Sequence, residues 1–152
     1  DEIMTVTEDQ LSSAALLLLE RAKMVVEPAG AAATAAVMAW PTKFEPPVAV
    51  LLSGGNVDSL LLLRIIRHGM AASGRYMTIK VRVPDSPGNL ARILAAVQEV
   101  HANIVEVDHN RMDPSLGVDE VEIDIHVETR GRDHSQEVLL KLIEQGFSAI
   151  EL

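Results

Sequence analysis

The chain of 152 residues has no cysteine. That excludes disulfides, thiolate metal ligands and a cysteine nucleophile, and it suits a reducing, cytoplasmic setting. Aromatic residues are only 3%, so stacking surfaces for nucleobases are scarce and the core must be built from Ala, Leu, Ile and Val. Positive charge is short: 13 Lys and Arg face 22 Asp and Glu, a formal net charge of -9. Divided at Gly74, the two halves carry -3 and -6. Neither offers a basic face for a phosphate backbone or an anionic membrane, so no nucleic-acid or membrane partner is expected. Long apolar runs are missing as well. The block Leu16–Leu19 is flanked by Ser12, Ser13, Glu20 and Arg21, far short of a membrane span. No signal peptide is visible. Asp1 stands first instead of Met, which is expected of a piece of a longer chain.

What is present is globular in character. Hydrophobic residues are 48% and charged residues 23%, enough for one domain of ordinary size or two small ones.

Residues 2–6 read as a short strand. Thr7 follows as an N-cap with Gln10 as its capping-box partner. A helix is expected to about Val25, with Leu11, Ala15, Leu18 and Ala22 on one face and Leu16, Leu17 and Leu19 elsewhere. A helix apolar nearly all round needs burial on several sides. Pro28 opens a second helix, Ala29 to Ala39, of small residues, which Trp40-Pro41 stops. Thr42 to Pro47 is a loop. Val48 to Leu52 is continuously apolar, the mark of a strand buried on both faces as in a parallel sheet. Ser53-Gly54-Gly55-Asn56 turns the chain, and Asn56 or Asp58 caps a helix to about Met70. The strand, Gly turn and helix form an α/β unit.

Beyond a linker at 71–74 the period changes. Met77, Ile79, Val81 and Val83 alternate with Thr78, Lys80 and Arg82, predicting a strand with one polar face. Asp85-Ser86-Pro87-Gly88 is a turn. Leu90, Ile93, Leu94 and Val97 make a helical stripe ending near His101. Residues 103–111 are a second strand, Met112 to Gly117 a hairpin loop, and 118–128 a third strand with Val121, Ile123, Ile125 and Val127 inward. Asp133, with Gln136 as box partner, caps a second helix carrying Val138, Leu139, Leu142 and Ile143. Gly146 ends it, and Phe147 to Leu152 is the last strand. The order βαββαβ closes into a four-stranded antiparallel sheet with two helices on one face, an α+β ferredoxin-like fold. The domains are set at 1–72 and 75–152. The second is self-sufficient. The first, with two strands and three very apolar helices, does not close by itself and is expected to be the tail of a larger catalytic domain.

Two motifs mark the first domain. Ser53-Gly54-Gly55-Asn56 sits at the C-terminal end of the expected parallel strand, the edge where open α/β sheets bind ligands; a tight turn with a capping Asn56 fits the same residues. Glu27-Pro28-Ala29-Gly30-Ala31 starts a helix, with Pro at its first position and an acid beside it. Together, with Asp1-Glu2-Ile3-Met4-Thr5-Val6-Thr7-Glu8-Asp9 upstream, they resemble the end of the catalytic domain of fold-type-II pyridoxal-phosphate enzymes. The likeness covers residues 1–70 and is closest to the threonine ammonia-lyase (threonine dehydratase) and serine racemase group. The resemblance implies that Ser53 is the serine whose hydroxyl bonds the cofactor's pyridine nitrogen. A neutral hydroxyl does not hold that nitrogen protonated, which restrains the electron sink and suits β-elimination of a hydroxyl. It also implies that Glu27 lies near the cofactor ring and that Gly54 lines the same pocket. The family's Schiff-base lysine, in a Ser-x-Lys-x-Arg-Gly-type segment, and its glycine-rich phosphate loop have no counterpart here. Lys23, Lys43, Lys80 and Lys141 have other surroundings. No covalently bound cofactor and no catalysis are expected from this chain alone.

In the second domain, Asp85-Ser86-Pro87-Gly88-Asn89-Leu90 reads as a turn and helix cap. With Asn103-Ile104 after the helix it resembles the ACT domain, a regulatory amino-acid-binding module, over residues 76–152. Glu128-Thr129-Arg130-Gly131-Arg132-Asp133-His134 resembles the segment before the second helix in dehydratases with one such domain. The resemblance implies an amino-acid effector at the interface of paired domains in a homo-oligomer, with Asp85, Ser86, Gly88, Asn89, Asn103 and Ile104 as its binding residues. Loop amides at a helix N-terminus suit the ligand carboxylate, and Asp85 is expected to receive its ammonium group.

On the outer face of this sheet, Lys80 and Arg82 should neighbour Glu122 and Asp124, with Glu106 and Asp108 following. That reads as a solvated charge ladder. A metal site using Asp124 and His126 is the alternative, and no metal is expected. The five histidines (His68, His101, His109, His126, His134) show no ligand spacing and read as surface or capping residues.

The resemblance therefore implies the C-terminal part of a threonine ammonia-lyase that converts threonine to 2-oxobutanoate and ammonia with pyridoxal phosphate. Its ACT domain would sense an amino acid such as isoleucine or valine and regulate the enzyme allosterically. Two other readings fit the residues: a non-catalytic amino-acid-binding and dimerisation module, and the tail of a serine dehydratase or racemase.

Overall fold

The computed structural model describes residues 3–152. They divide between Ser73 and Gly74 into two compact units.

The first unit is helical. Thr7 caps α1 (Glu8–Leu17): its hydroxyl accepts from the Gln10 amide at 3.3 Å, and the Gln10 side chain accepts from the Thr7 amide at 2.9 Å. Both orphan donors are thus satisfied reciprocally, as the sequence predicts. The helix continues through a π-helical turn, Leu18–Ala22, and stops short of Val25. Lys23 takes a left-handed φ of 59°, and the amides of Lys23 and Met24 both close onto the Leu18 carbonyl. The left-handed residue turns the chain back on the helix and ends it. α2 (Pro28–Ala39) and α3 (Ser59–Ala72) follow. The cap of α3 is Asp58, whose Oδ1 accepts from Leu60 and Leu61. Ala14, Ala15, Val26, Ala31, Ala35 and Ile65 form a core of small residues.

The strands expected at 2–6 and 48–52 are a correction. Residue 2 lies outside the described residues, and 3–6 join no ladder. Val48 to Leu52 is irregular, and Leu51 is 85% exposed. A parallel strand exists only beside neighbouring strands, and among the described residues of this unit there are none. Apolar composition signals a burial that this chain does not itself supply.

The second unit has the ferredoxin-like order: β1 (Tyr76–Pro84), α4 (Asn89–Glu99), β2 (Asn103–Asn110), β3 (Glu120–Glu128), α5 (Arg132–Glu144) and β4 (Ser148–Glu151). The sheet is antiparallel, ordered β2-β3-β1-β4. Alternation sets its faces. Ile79, Val81, Ile123 and Ile125 point inward and meet Ile93 and Val97 of α4 and Val138 and Leu142 of α5 in one core. Each such side chain stabilises the fold by about 1.5–3 kcal/mol on full burial. Gly146, with φ 86°, ends α5 as expected.

Three expectations shift. The third strand starts at Glu120, two residues later than 118. α5 is capped by Gly131 instead of Asp133: the Ser135 amide donates to the Gly131 carbonyl at 3.0 Å, so the helix starts earlier. Asp133 still stands in the first turn, where an acid suits the helix dipole. His134 is no surface residue. It is buried; its Nδ1 accepts from the Arg130 amide at 3.0 Å, so Nε2 carries the proton and donates to the Val100 carbonyl at 2.7 Å.

Candidate functional site

In the first unit, the segments holding Glu27, Ser53 and Gly54 meet. The Glu27 amide donates to the Gly54 carbonyl at 2.8 Å. The Ser53 carbonyl lies so close to Gly30 that a Cβ there would overlap it. Gly54, at φ +71°, has the Glu27 carboxylate in the space its own Cβ would take. Only glycine meets both demands at position 54, the left-handed backbone and the missing side chain. Ser53 and Gly54 stay exposed and Glu27 is half-buried. These residues, far apart in sequence, thus form one rigid corner with a serine hydroxyl available at its surface. A cavity of about 310 Å³ in this unit is lined by other residues, such as Leu11, Arg64 and His68.

In the second unit, the loop between β1 and α4 borders a cleft of about 390 Å³ that also involves His109 and Arg111. Asp85, Ser86, Gly88 and Asn89 all line it. The Asn89 amide group donates to the Pro84 carbonyl and the Ser86 hydroxyl, each at 2.9 Å, and so cinches the loop. Gly88, at φ 97°, stands at the N-cap of α4 and no side chain caps the helix. The first amides of α4 therefore lack a side-chain acceptor of the protein's own, and such amides favour an anionic group. Beneath the loop, Val83, Val121 and Ile123 give the cleft an apolar floor.

Asp85 is engaged within the chain. Arg111 grips it with two bonds, Nε to Oδ2 at 2.7 Å and Nη2 to Oδ1 at 3.1 Å. The guanidinium holds the Asp85 carboxyl below its usual range, and the carboxylate raises Arg111 in turn. Arg111 and His109 are not among the effector residues that the sequence suggests. Their signal lies in chain order: His109 near the end of β2 and Arg111 just past it both reach the cleft.

Asn103 and Ile104 do not share this cleft. They line a separate groove of about 820 Å³ along α4 with Leu94, Gln98 and His101. The Asn103 side chain donates to Glu128 at 3.3 Å. The helix separates its two ends, so the two groups of expected effector residues line different clefts of the chain.

The outer face of the sheet carries the expected ladder, but not as a solvated one: its central acid, Glu122, is buried under its two cationic partners. Lys80 pairs with Asp124 and Arg82 with Glu122 in register. Glu122, nearly all buried, receives Lys80 on one oxygen and Arg82 Nε on the other at 3.0 Å. The Lys80 bond, with Arg82 adding to it, outweighs the cost of burial and holds the Glu122 carboxyl below its usual range.

No family model matches the chain. It is similar to the L-threonine ammonia-lyase of Geobacter sulfurreducens, 38% identical over 148 residues, which is 97% of this chain and 37% of that protein. The L-threonine ammonia-lyase of Thermotoga maritima is likewise 38% identical over 147 residues, 97% of this chain and 37% of its own length. The regulatory subunit of aspartate kinase from Thermus thermophilus, a solved structure, aligns with a TM-score of 0.41 at 21% identity, over 52% of this chain and 51% of that one. The chain is therefore a relative of the L-threonine ammonia-lyases over nearly all of its length, and it spans little more than a third of theirs. Among the described residues no helix is long and apolar enough to cross a membrane.

Proposed function

We propose that this chain is the C-terminal part of a pyridoxal-phosphate-dependent threonine ammonia-lyase and that its second unit is an ACT domain that senses an amino acid. The observation that carries the reading is the similarity to two L-threonine ammonia-lyases over 97% of the chain, joined to a loop cleft suited to an amino acid's carboxylate. In the parent enzyme, Ser53 would hold the pyridine nitrogen through its hydroxyl, while Glu27 and Gly54 would line the ring. The corner supports this role, since the contact of Glu27 with Gly54 and the approach of the Ser53 carbonyl to Gly30 hold the backbone that carries the hydroxyl. When bound, pyridoxal phosphate would supply the electron sink for loss of the α-proton and the β-hydroxyl of threonine. Exposed Leu51 and Leu60, at 85% and 67%, favour a first unit that packs against further protein.

In the second unit, the amides at the start of α4 would meet the effector carboxylate, Asp85 its ammonium group, and the apolar floor its side chain. An isoleucine or valine suits such a floor. Asn103 and Ile104 would close the site from a second copy, which makes the homo-oligomer part of the sensor. The competing reading, an assembly module that binds no effector, keeps the pairing and drops the ligand.

The test is the thermal midpoint of this chain with millimolar isoleucine, valine or threonine. A ligand that binds the folded state raises the midpoint by mass action. A rise with one branched-chain amino acid and none with threonine supports the sensor. A flat response to all three, in this chain and in the full-length parent, leaves the assembly module. Turnover of threonine against serine by the parent separates the ammonia-lyase from a serine dehydratase or racemase.

A further inference from the structure

We infer that Glu106, Asp108 and His126 form a binding site for a divalent first-row transition cation, zinc being the best fit, on the outer face of the sheet. The three residues each offer one ligand atom, and these atoms all lie within 4.8 Å of one another. Pairing in the ladder brings them together: Glu106 is opposite His126 and Asp108 opposite Asp124.

The imidazole is what separates this cluster from a run of surface acids. Its Nδ1 is bonded to the Thr78 hydroxyl at 2.9 Å. Its ring stacks on Tyr76 with centroids 6.1 Å apart and planes inclined by 26°. Side chain and ring plane are therefore fixed from two sides, and Nε2 is the nitrogen left to face the carboxylates. A hydrogen-bond partner on the far nitrogen is the usual companion of a metal-ligating histidine. Nε2 lies 3.3 Å from Asp108 Oδ2, long for a direct hydrogen bond to a carboxylate. An ion about 2.1 Å from both atoms would see them at roughly 105°, near the tetrahedral angle that zinc takes. Glu106 is exposed, so rotation of its side chain can bring the third ligand in, and water completes the shell.

Charge supplies an independent reason. Asp108 and Asp124 face each other across the ladder, a like-charge pair that costs stability. Asp124 Oδ1 is buried and, among the described residues, has no hydrogen-bond partner. Lys80, its neighbour on β1, is held by Glu122. A dication beside Asp108 offsets this excess of negative charge. One nitrogen and two oxygens select zinc, cobalt or manganese over calcium, which takes six or more oxygens.

The experiment titrates the chain with Co²⁺ and reads the visible ligand-field absorption, then displaces the ion with Zn²⁺. The expected result is a saturable band at one equivalent that Zn²⁺ removes. His126→Gln and Asp108→Asn should each weaken binding at least tenfold. Asp108 is well exposed, so D108N keeps the fold even if H126Q does not. Thr78→Val, which touches no ion, should weaken binding by about 10–100-fold through loss of ring orientation. A featureless titration up to millimolar Co²⁺ overturns the proposal. So does D108N binding as tightly as the unaltered chain, or equal binding of Ca²⁺ and Zn²⁺, which would mark an acidic patch and nothing more.

Discussion

Arg111 clasps Asp85 in a two-point ion pair across the mouth of the cleft between β1 and α4. A carboxylate held in this way has one orientation, and the guanidinium keeps it charged. Asp85→Asn should therefore weaken an isoleucine or valine effector at least tenfold. The pair is exposed and screened, so the ligand-free thermal midpoint should move by no more than about 2 °C. Midpoints measured across an effector titration read both quantities. An unchanged ligand response would show that the ammonium group is met elsewhere.

Glu122 gives the second unit a dependence on acid. Its carboxyl lies below the usual range because Lys80, and then Arg82, favour the charged form. A depressed carboxyl stabilises the fold above its unfolded value, and that stability is lost as pH falls through the folded value. Thermal midpoints should thus be steady near neutrality and fall from about pH 5 downward. Glu122→Gln should lower the midpoint by roughly 4–8 °C at pH 7, with the gap closing as the solution is acidified. A gap of constant size would mean that the substitution acts through packing.

Gly30→Ala tests the rigid corner of the first unit. A methyl group there overlaps the Ser53 carbonyl and presses on Val26. Overpacking of this kind costs about 1–3 kcal/mol, read by denaturant unfolding of the first unit. In the full-length parent the same change should shift Ser53 and raise the concentration of pyridoxal phosphate needed for half-saturation. Full cofactor affinity in a destabilised G30A enzyme would separate the corner from the cofactor.

Thr7→Ala removes one half of the capping box. Loss of a cap of this type costs about 0.5–2 kcal/mol. The expected outcome is a lower first-unit midpoint with the second unit unchanged, visible as two separating transitions in calorimetry.

The second unit was legible in the sequence because each of its signals is local. Alternation in Met77 to Val83 and the stripe Ile93, Val97 need no distant partner to be read. The loop Asp85 to Asn89 was legible for the same reason. Arg111 was not, since its role depends on which strand end lies beside the loop. The cap of α5 falls at Gly131 because the first helical amide bond, from Ser135, already reaches back to the Gly131 carbonyl. In the first unit Thr7 and Gln10 were legible as a pair three residues apart. Val48 to Leu52 misled because an apolar run states what a segment needs and is silent on whether a neighbouring strand is there to provide it. Asn103 and Ile104 were grouped with the loop by likeness, and the length of α4 keeps them apart within one chain.

The Gly74 carbonyl accepts from the hydroxyls of both Thr129 and Ser135. The sheet unit therefore begins, in physical terms, two residues before its first strand. A fragment cut to start at Tyr76 would lose this acceptor and leave the Thr129 and Ser135 hydroxyls only each other and the Gly131 carbonyl, at a cost of about 1–3 kcal/mol. One cut before Gly74 would keep it. In the uncut chain the same fastening ties the backbone at position 74 to the β3–α5 corner and the first turn of α5.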